Sequence, residues 1–435
     1  MGSAGLSSDE VIDHLIRKHI STLAQAPYIS QSDLPFFVAD TNRIVEQHRR
    51  WTHTMPDIQP FYAVKANSDT KLLQCLDRLG VNFDCASLDE IQQILSLGID
   101  PSRIIFAHPC KAASALHFAS KRGVRWTTFD NIDELEKIRE HGAQMELLLR
   151  IFAQDDGAKV CLGDKFGAAW DDTWSLLERA RQLDLKIVGV SFHIGSGASD
   201  PQAFATAIQQ AKQVIEQGER LGFQMTVLDV GGGFQDANFE IMASGLRPAL
   251  AQEFRDRKLT VIAEPGRFYA TPFYTMACRV IARRTQIRSA SKVADMLYQN
   301  DGLYGCFSCG WSENEVYTPV LVSGGAVERD WGEHRYSVWG PTCDSIDRVA
   351  EEVAMDCEVK IGDWLIYRNM GAYTVSAASR FNGFPNTYDW RFWQHSEIDP
   401  STLKSEQANM IYNKFDVSSK LIVGALTTAH IPVPR

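Results

Sequence analysis

No apolar run in the 435-residue chain approaches the roughly 18 residues needed to cross a bilayer. The N-terminus lacks the apolar centre of a secretory signal. Met1-Gly2 is followed by Leu6 where a myristoylation signal needs Ser or Thr, and the closing Pro432-Val433-Pro434-Arg435 is neither a prenylation nor a peroxisomal sequence. Positive charge is also in short supply. Subtracting 54 acidic from 44 basic residues leaves −10, which argues against nucleic-acid backbones or anionic membranes as the main partner. Only a local basic pocket for one small anion is compatible with that balance. Nine cysteines, an odd count without framework spacing, exclude a disulfide scaffold and point to reduced thiols. Low-complexity blocks and short repeats are missing, and 45% apolar with 23% charged residues excludes wholesale disorder. A soluble, cytoplasmic protein of two to three domains is expected.

What the chain does contain is a rhythm. Short apolar or β-branched runs begin near Phe61, Val81, Ile104, Val124, Glu146, Ile187, Thr226 and Thr260. Between most of them lies an amphipathic stretch. Asp69 to Leu79 and Leu88 to Leu97 show apolar residues three or four apart and an acid or hydroxyl near the start. Eight strand–helix alternations between about residues 60 and 263 predict a (β/α)8 barrel, with a doubly wound open sheet as the alternative. After about residue 270 the texture changes. Strand-like runs at Tyr274 to Ala282, Val320 to Leu321, Glu358 to Ile361 and Trp364 to Tyr367, separated by Gly, Pro and Asn-Asp turns, predict a mostly-β second domain. The expected division is an N-terminal segment 1–35 packing with the β domain, a barrel over 36–270 and the β domain over 271–435. The Trp and Pro content of residues 385–435 suggests ordered packing.

In a barrel, chemistry belongs at the C-terminal ends of the strands, and several local sequences fall there. Lys65 ends the run from Phe61. Such a lysine is usually a charge reaching solvent, but one with a depressed pKa can form a Schiff base. His193 and Ser196 lie in a stretch with Gly195 and Gly197, where small residues let something approach the backbone. Gly231, Gly232 and Gly233 follow an apolar run. They serve either a tight turn or a phosphate held by backbone N–H groups. Glu264, Gly266 and Arg267 follow the last strand and could be no more than a surface ion pair. Each signal is weak alone. Together, a lysine, an imidazole that can stack, a phosphate cradle and a carboxylate for a ring nitrogen fit pyridoxal 5'-phosphate. The β region adds Cys343-Asp344 in a Gly-Pro turn and Tyr373 after Gly371. Cys306 and Cys309 have the spacing of a metal half-site, but without a second pair no metal site is expected.

These residues resemble the eukaryotic ornithine decarboxylase family, pyridoxal-phosphate enzymes with an alanine-racemase-type barrel. The likeness runs from about Phe36 to Phe384. It rests on Pro60 to Asn67, Phe83 to Ser87, Leu228 to Phe234, Ala263 to Arg267, Gly340 to Asp344 and Asn369 to Phe384. The resemblance implies Lys65 as the Schiff-base lysine and His193 as the ring-stacking residue. It places Ser196, Gly231, Gly232, Gly233, Gly266, Arg267 and Tyr373 around the phosphate, and Glu264 on the ring nitrogen. Asp84, Glu90 and Arg150 would support the cofactor. Cys343 would return the proton to the substrate carbon and Asp344 would bind the substrate's distal ammonium, both from the second subunit of a homodimer. Tyr304 and Phe381 would line the substrate side. Asp155 to Gly167 resembles a mobile loop over the site. The implied activity is decarboxylation of a basic L-amino acid, ornithine to putrescine by default, in polyamine biosynthesis.

One position departs from the family. Its second carboxylate for the distal ammonium is an Asp set twelve residues after the Asp of an Asn-Asp-Gly-x-Tyr-Gly string. Here that count from Asp301 reaches Glu313, preceded by Ser312 instead of Tyr. One extra methylene moves a carboxylate by about 1.5 Å, and misplacement near 1 Å can cost on the order of 100-fold. The length preference for the tail is therefore open. Lysine, arginine or a shorter diamino acid are alternatives, as is decarboxylation-linked oxidation or transamination. A non-catalytic regulatory paralogue fits poorly, because Lys65, Glu264, Arg267 and Cys343 are all present, and a racemase fits less well still.

Overall fold

The computed structural model describes residues 8–25, 34–154, 157–159, 163–285, 295–323, 328–385 and 388–393. Eight parallel strands close into a barrel. They are β2 (Ile58–Ala63), β3 (Asn82–Cys85), β4 (Ile104–Phe106), β5 (Trp126–Phe129), β6 (Glu146–Arg150), β7 (Lys186–Ser191), β8 (Val227–Asp229) and β9 (Thr260–Ala263). Closure excludes the open-sheet alternative: β2 pairs with both β3 and β9. The helices between them start where the sequence supplies caps. Asp69 accepts from the N–H groups of Lys71 and Leu72 to open the helix Thr70–Arg78. Ser87 does the same from Glu90 for Leu88–Ser96.

The strand pleat sorts side chains into two layers. Phe61, Ile105, Trp126, Leu148, Val188, Val227 and Ile262 form a separate buried cluster that fills the barrel. Their strand neighbours, such as Tyr62, Ile104, Leu149 and Leu228, join the larger core under the helices. Continuing the alternation toward the C-terminal end of each strand turns Asp84, Arg150, Asp229 and Glu264 inward. The strands that fill the barrel also aim its charged groups.

The second domain is an eight-stranded sheet of β1 (Phe36–Asp40), β10 (Tyr274–Arg284), β11 (Asp295–Gln299), β12 (Val320–Val322), β13 (Trp331–Trp339), β14 (Arg348–Cys357), β15 (Trp364–Tyr367) and β16 (Asp389–Trp393). Three differences from the sequence reading follow. Strand β1 was expected in the barrel but pairs with β10 and β16, so the barrel's own strands begin at Ile58. Residues 358–361 are not a strand but the turn before β15, with Val359 buried and Ile361 exposed. Strands β11, β13 and β14 escaped notice because one side of the β13–β14 hairpin carries solvent-facing charge such as Glu333, Arg335 and Glu352. The helix Ser8–Gln25 lays Ile12, Ile16 and Ile20 on Phe36, Val38, Trp364 and Ile366 of this sheet, a four-residue spacing that presents one helical face. Of residues 385–435, for which ordered packing was expected, 386–387 and 394–435 lie outside the described residues.

Candidate active site

The two domains meet where the charged strand ends converge. Lys65 sits on a 3-10 turn, Val64–Ala66, directly after β2. Tyr373 donates its backbone N–H to the carbonyl of Ala66 at 2.8 Å, and Asn67 Nδ2 reaches the carbonyl of Gly371 at 2.7 Å. The segment from Asn369 to Tyr373 is thus clamped against the lysine turn. Its backbone is strained: Asn369 and Tyr373 both adopt positive φ, 59° and 54°. A Cβ on Gly371 would lie 1.6 Å from the carbonyl oxygen of Ala270, so only glycine fits. Strain held by surrounding contacts marks positions fixed for a purpose.

Lys65 Nζ lies 2.6 Å from Asp84 Oδ2. The lysine side chain is 40% accessible while that carboxylate is fully buried, so the pair forms the floor of an open cleft. Burial works against the ammonium, but Asp84, Glu264 and Tyr373 outweigh it and hold Lys65 above its ordinary value. The depressed lysine considered from sequence is therefore corrected: with Asp84 in contact, the ammonium form is favoured. Asp84 Oδ1 is buried without a hydrogen-bond partner.

Glu264 is buried beside Asp229. Removal from water, then Asp229, then Asp84 push its carboxyl well above the ordinary range, while Lys65 pulls it down. Asp229 is raised for the same primary reason, burial, and anchors the glycine run by accepting from the Gly231 N–H at 2.9 Å. The sequence reading missed Asp229. Its signal was an acid at an inward position of a buried strand. His193 Nδ1 accepts from the Gly195 N–H at 3.0 Å, leaving the neutral ring's proton on Nε2. Burial first, then Arg150 and Lys65, hold its pKa well below normal, so the ring is uncharged. Gly232 packs beneath it: a Cβ there would lie 2.6 Å from Nε2.

Arg267, on the short helix after β9, donates from Nε to Ser196 Oγ at 3.0 Å and lies 4.3 Å from the centre of the Tyr373 ring. Its Nη2 contacts both oxygens of Glu313 at 2.5 and 2.6 Å. Glu313 had been placed with the substrate tail; the structure places it on the arginine of the phosphate group. Glu90 Oε2 accepts from the Ala86 N–H at 2.5 Å, and the Arg150 guanidinium stands over Phe166. Of the loop resemblance, Asp155, Asp156 and 160–162 lie outside the described residues, while Lys159 pairs with Glu315 at 2.8 Å. Cys306 is buried and Cys309 Sγ contacts Glu313 Oε1 at 3.7 Å.

The remaining predicted residues form a second group on the sheet domain. Cys343 is exposed in the turn between β13 and β14, and its N–H donates to Asn382 Oδ1 at 2.9 Å. Tyr304 donates its hydroxyl to Asp344 Oδ2, which holds Asp344 below the usual carboxylate range. Tyr304 also stacks on Phe381 with centroids 4.2 Å apart. These four are partnered with one another and their neighbours, not with the lysine group.

Comparison with known proteins decides between chemistries that share this geometry. Residues 41–271 match the model of the pyridoxal-dependent decarboxylase, pyridoxal binding domain. A Neurospora crassa ornithine decarboxylase is 43% identical over 419 residues, covering 89% of this chain and 87% of that relative. This chain belongs to the ornithine decarboxylase family of pyridoxal-dependent decarboxylases. A Schizosaccharomyces pombe ornithine decarboxylase is 46% identical over 354 residues, covering 80% and 81% of the two chains. The solved arginine decarboxylase of Paramecium bursaria Chlorella virus, bound to agmatine, superposes with a TM-score of 0.80 at 35% identity, covering 88% of this chain and 100% of that one. The cofactor is pyridoxal phosphate, and the residues present fit it. The carboxylate that holds Lys65 keeps one buried oxygen, Asp84 Oδ1, without a hydrogen-bond partner among the described residues. The glycine run packs directly on Phe192 and His193, where a side chain at Gly231 or Gly232 would collide, so its backbone lies close to the imidazole, and Arg267 gathers Ser196 and Tyr373 into one group of donors.

Proposed function

We propose that this enzyme decarboxylates a basic L-amino acid, with L-ornithine the preferred substrate and putrescine and carbon dioxide the products. The observation that carries the reading is the joint presence of two clusters. A cleft lysine, Lys65, over the buried carboxyls of Asp84, Asp229 and Glu264, with His193 nearby, suits an aldehyde cofactor with a ring nitrogen. An exposed Cys343-Asp344 turn suits proton return and recognition of a cationic tail. The names and identities of the fungal relatives support ornithine over other basic acids.

A bound pyridoxal ring would supply the sink for the electron pair left when the substrate's carboxylate departs as carbon dioxide. Lys65, positioned by Asp84, would supply the amine that holds the aldehyde. Glu264, whose carboxyl burial and its acidic neighbours raise well above the ordinary range, would be the group to share a proton with a ring nitrogen. The neutral His193 ring offers a flat face without competing charge. Ser196, Arg267, Tyr373 and the amides of Gly231 to Gly233 supply donors for the phosphate. Cys343 Sγ carries the proton that replaces the lost carboxylate, so each turnover consumes one amino acid and one proton and releases one amine and one carbon dioxide. Asp344, ionised and oriented by Tyr304, opposes the substrate's terminal ammonium.

Because the Cys343 group is partnered away from the lysine cleft, a second copy of the chain is the source of this half of the site. Mixing inactive Lys65→Ala and Cys343→Ala proteins tests this. Random reassortment into dimers restores about a quarter of the sites, and no recovery would refute sharing. The functional test is release of carbon dioxide and amine by cofactor-loaded protein from ornithine, lysine, arginine and 2,4-diaminobutyrate. One-to-one release with ornithine fastest is expected. No release from any of them, with cofactor bound, would refute the reading.

A further inference from the structure

The carboxylate of Glu313 occupies the donor edge of the arginine that the phosphate needs. Both of its oxygens chelate Arg267 Nη2. The two side chains are only 13% and 10% accessible, so this is not a surface pair weakened by salt. Elsewhere on the guanidinium, Nε is engaged by Ser196 Oγ and one face by the Tyr373 ring. No other cation is needed to explain the carboxylate's position. Its remaining contact is the Cys309 thiol, which burial and Glu313 push up to about 11 and which is therefore neutral. Glu313 closes the five-residue helix Ser308–Ser312, its N–H bonded to the Cys309 carbonyl. A rotation of the side chain alone would release the arginine without unwinding the backbone.

We propose that Glu313 is an internal counter-anion for Arg267 that competes with the phosphate of the cofactor, so that loading requires the carboxylate to leave the guanidinium. This inference rests on the decarboxylase reading and adds to it a residue that sets cofactor affinity. The physical reason is charge count. One guanidinium edge cannot serve both a carboxylate and a phosphate dianion without placing like charges in contact in a poorly solvated pocket. The pair compensates the buried arginine's charge whenever the phosphate does not. The price is a weaker hold on the incoming anion.

The test uses full-length protein freed of cofactor, as wild type, Glu313→Gln and Glu313→Asp. Two anions are titrated: pyridoxal phosphate, followed by quenching of tryptophan fluorescence, and inorganic phosphate, followed by the rise in melting temperature. A Lys65→Ala background repeats the first titration without covalent capture. Glu313→Gln keeps the shape and removes the charge. It should tighten both anions by roughly tenfold, the worth of one charge-assisted hydrogen bond no longer given up. Glu313→Asp, one methylene shorter, should shift both in the same direction by less. A pair that merely braces the fold would instead weaken both anions when broken. Unchanged or weakened binding of phosphate in both variants overturns the proposal. If phosphate tightens but no form takes pyridoxal phosphate, the counter-anion stands and the decarboxylase reading fails.

Discussion

Replacing Asp84 with Asn tests how the site manages its lysine. To capture the cofactor's aldehyde, Lys65 must be neutral, yet Asp84 sits 2.6 Å from Nζ and keeps the ammonium above its ordinary value against the pull of burial. An unperturbed lysine near 10.4 is less than about 1% neutral at pH 8, and each further unit removes about tenfold more. Asp84→Asn preserves the size of the side chain and removes the charge that contributes most to holding the proton. With that charge gone, the lysine pKa falls. A fall of only one unit raises the neutral fraction at pH 8 about tenfold. Stopped-flow absorbance after mixing cofactor-free protein with pyridoxal phosphate should therefore show capture about tenfold faster at pH 8 in the variant. The advantage should shrink as pH rises and both lysines lose their protons. Turnover should nonetheless fall, because the lysine is no longer positioned. Equal or slower capture by Asp84→Asn across the whole pH range would refute the argument that this pair controls the lysine's proton.

Three further outcomes follow from the geometry. Gly232→Ala places a methyl carbon 2.6 Å from His193 Nε2 and should weaken cofactor binding at least tenfold, roughly the effect of losing one good contact; titration at wild-type affinity would show that the glycine run does not shape the pocket. Cys343→Ala should bind cofactor normally but slow amine formation by about 100-fold or more, the worth of a general acid, with amine produced falling below carbon dioxide released. An unchanged one-to-one ratio at full rate would remove Cys343 from proton return. Burial pushes Asp301 up to about 7 from its ordinary 3.8. The folded protein keeps a proton that the unfolded chain has already released, so this group's contribution is fully present below 3.8 and is lost as pH rises through about 7. The difference of about three units is worth at most about 4 kcal/mol, and urea unfolding should show that Asp301→Asn gains on wild type between pH 4 and pH 8. Parallel profiles would exclude this linkage.

The barrel was legible because its constraints are local and repeated. Each strand needs a short apolar run and each helix a cap and an apolar stripe, and eight copies average out errors at single positions. The β domain was half legible for the opposite reason. Its long hairpin is pinned by a few buried residues such as Tyr336 and Val338, with charged neighbours that read as loop. Strand β1 precedes the barrel in sequence, but it is held by pairing with β10 more than two hundred residues later, and no local pattern announces such a partner.

The site divides along the same line. Glycines and strand ends are visible because their chemistry requires a residue type at a place in the chain. The state of a charge is set by what surrounds it in space. Lys65 is raised by Asp84 and Glu264 together, Glu264 by Asp229 and Asp84 together, and these four groups come from four strand ends. Glu313 shows the consequence most directly. Counting along the chain assigned it to a substrate's ammonium, and the fold delivers it to Arg267, 46 residues away in sequence. Both assignments obey the rule that a buried carboxylate seeks a cation. The cation the fold brings within reach is the protein's own arginine, and the family pattern, which records the residue's place in the chain, says nothing about which cation meets it in space.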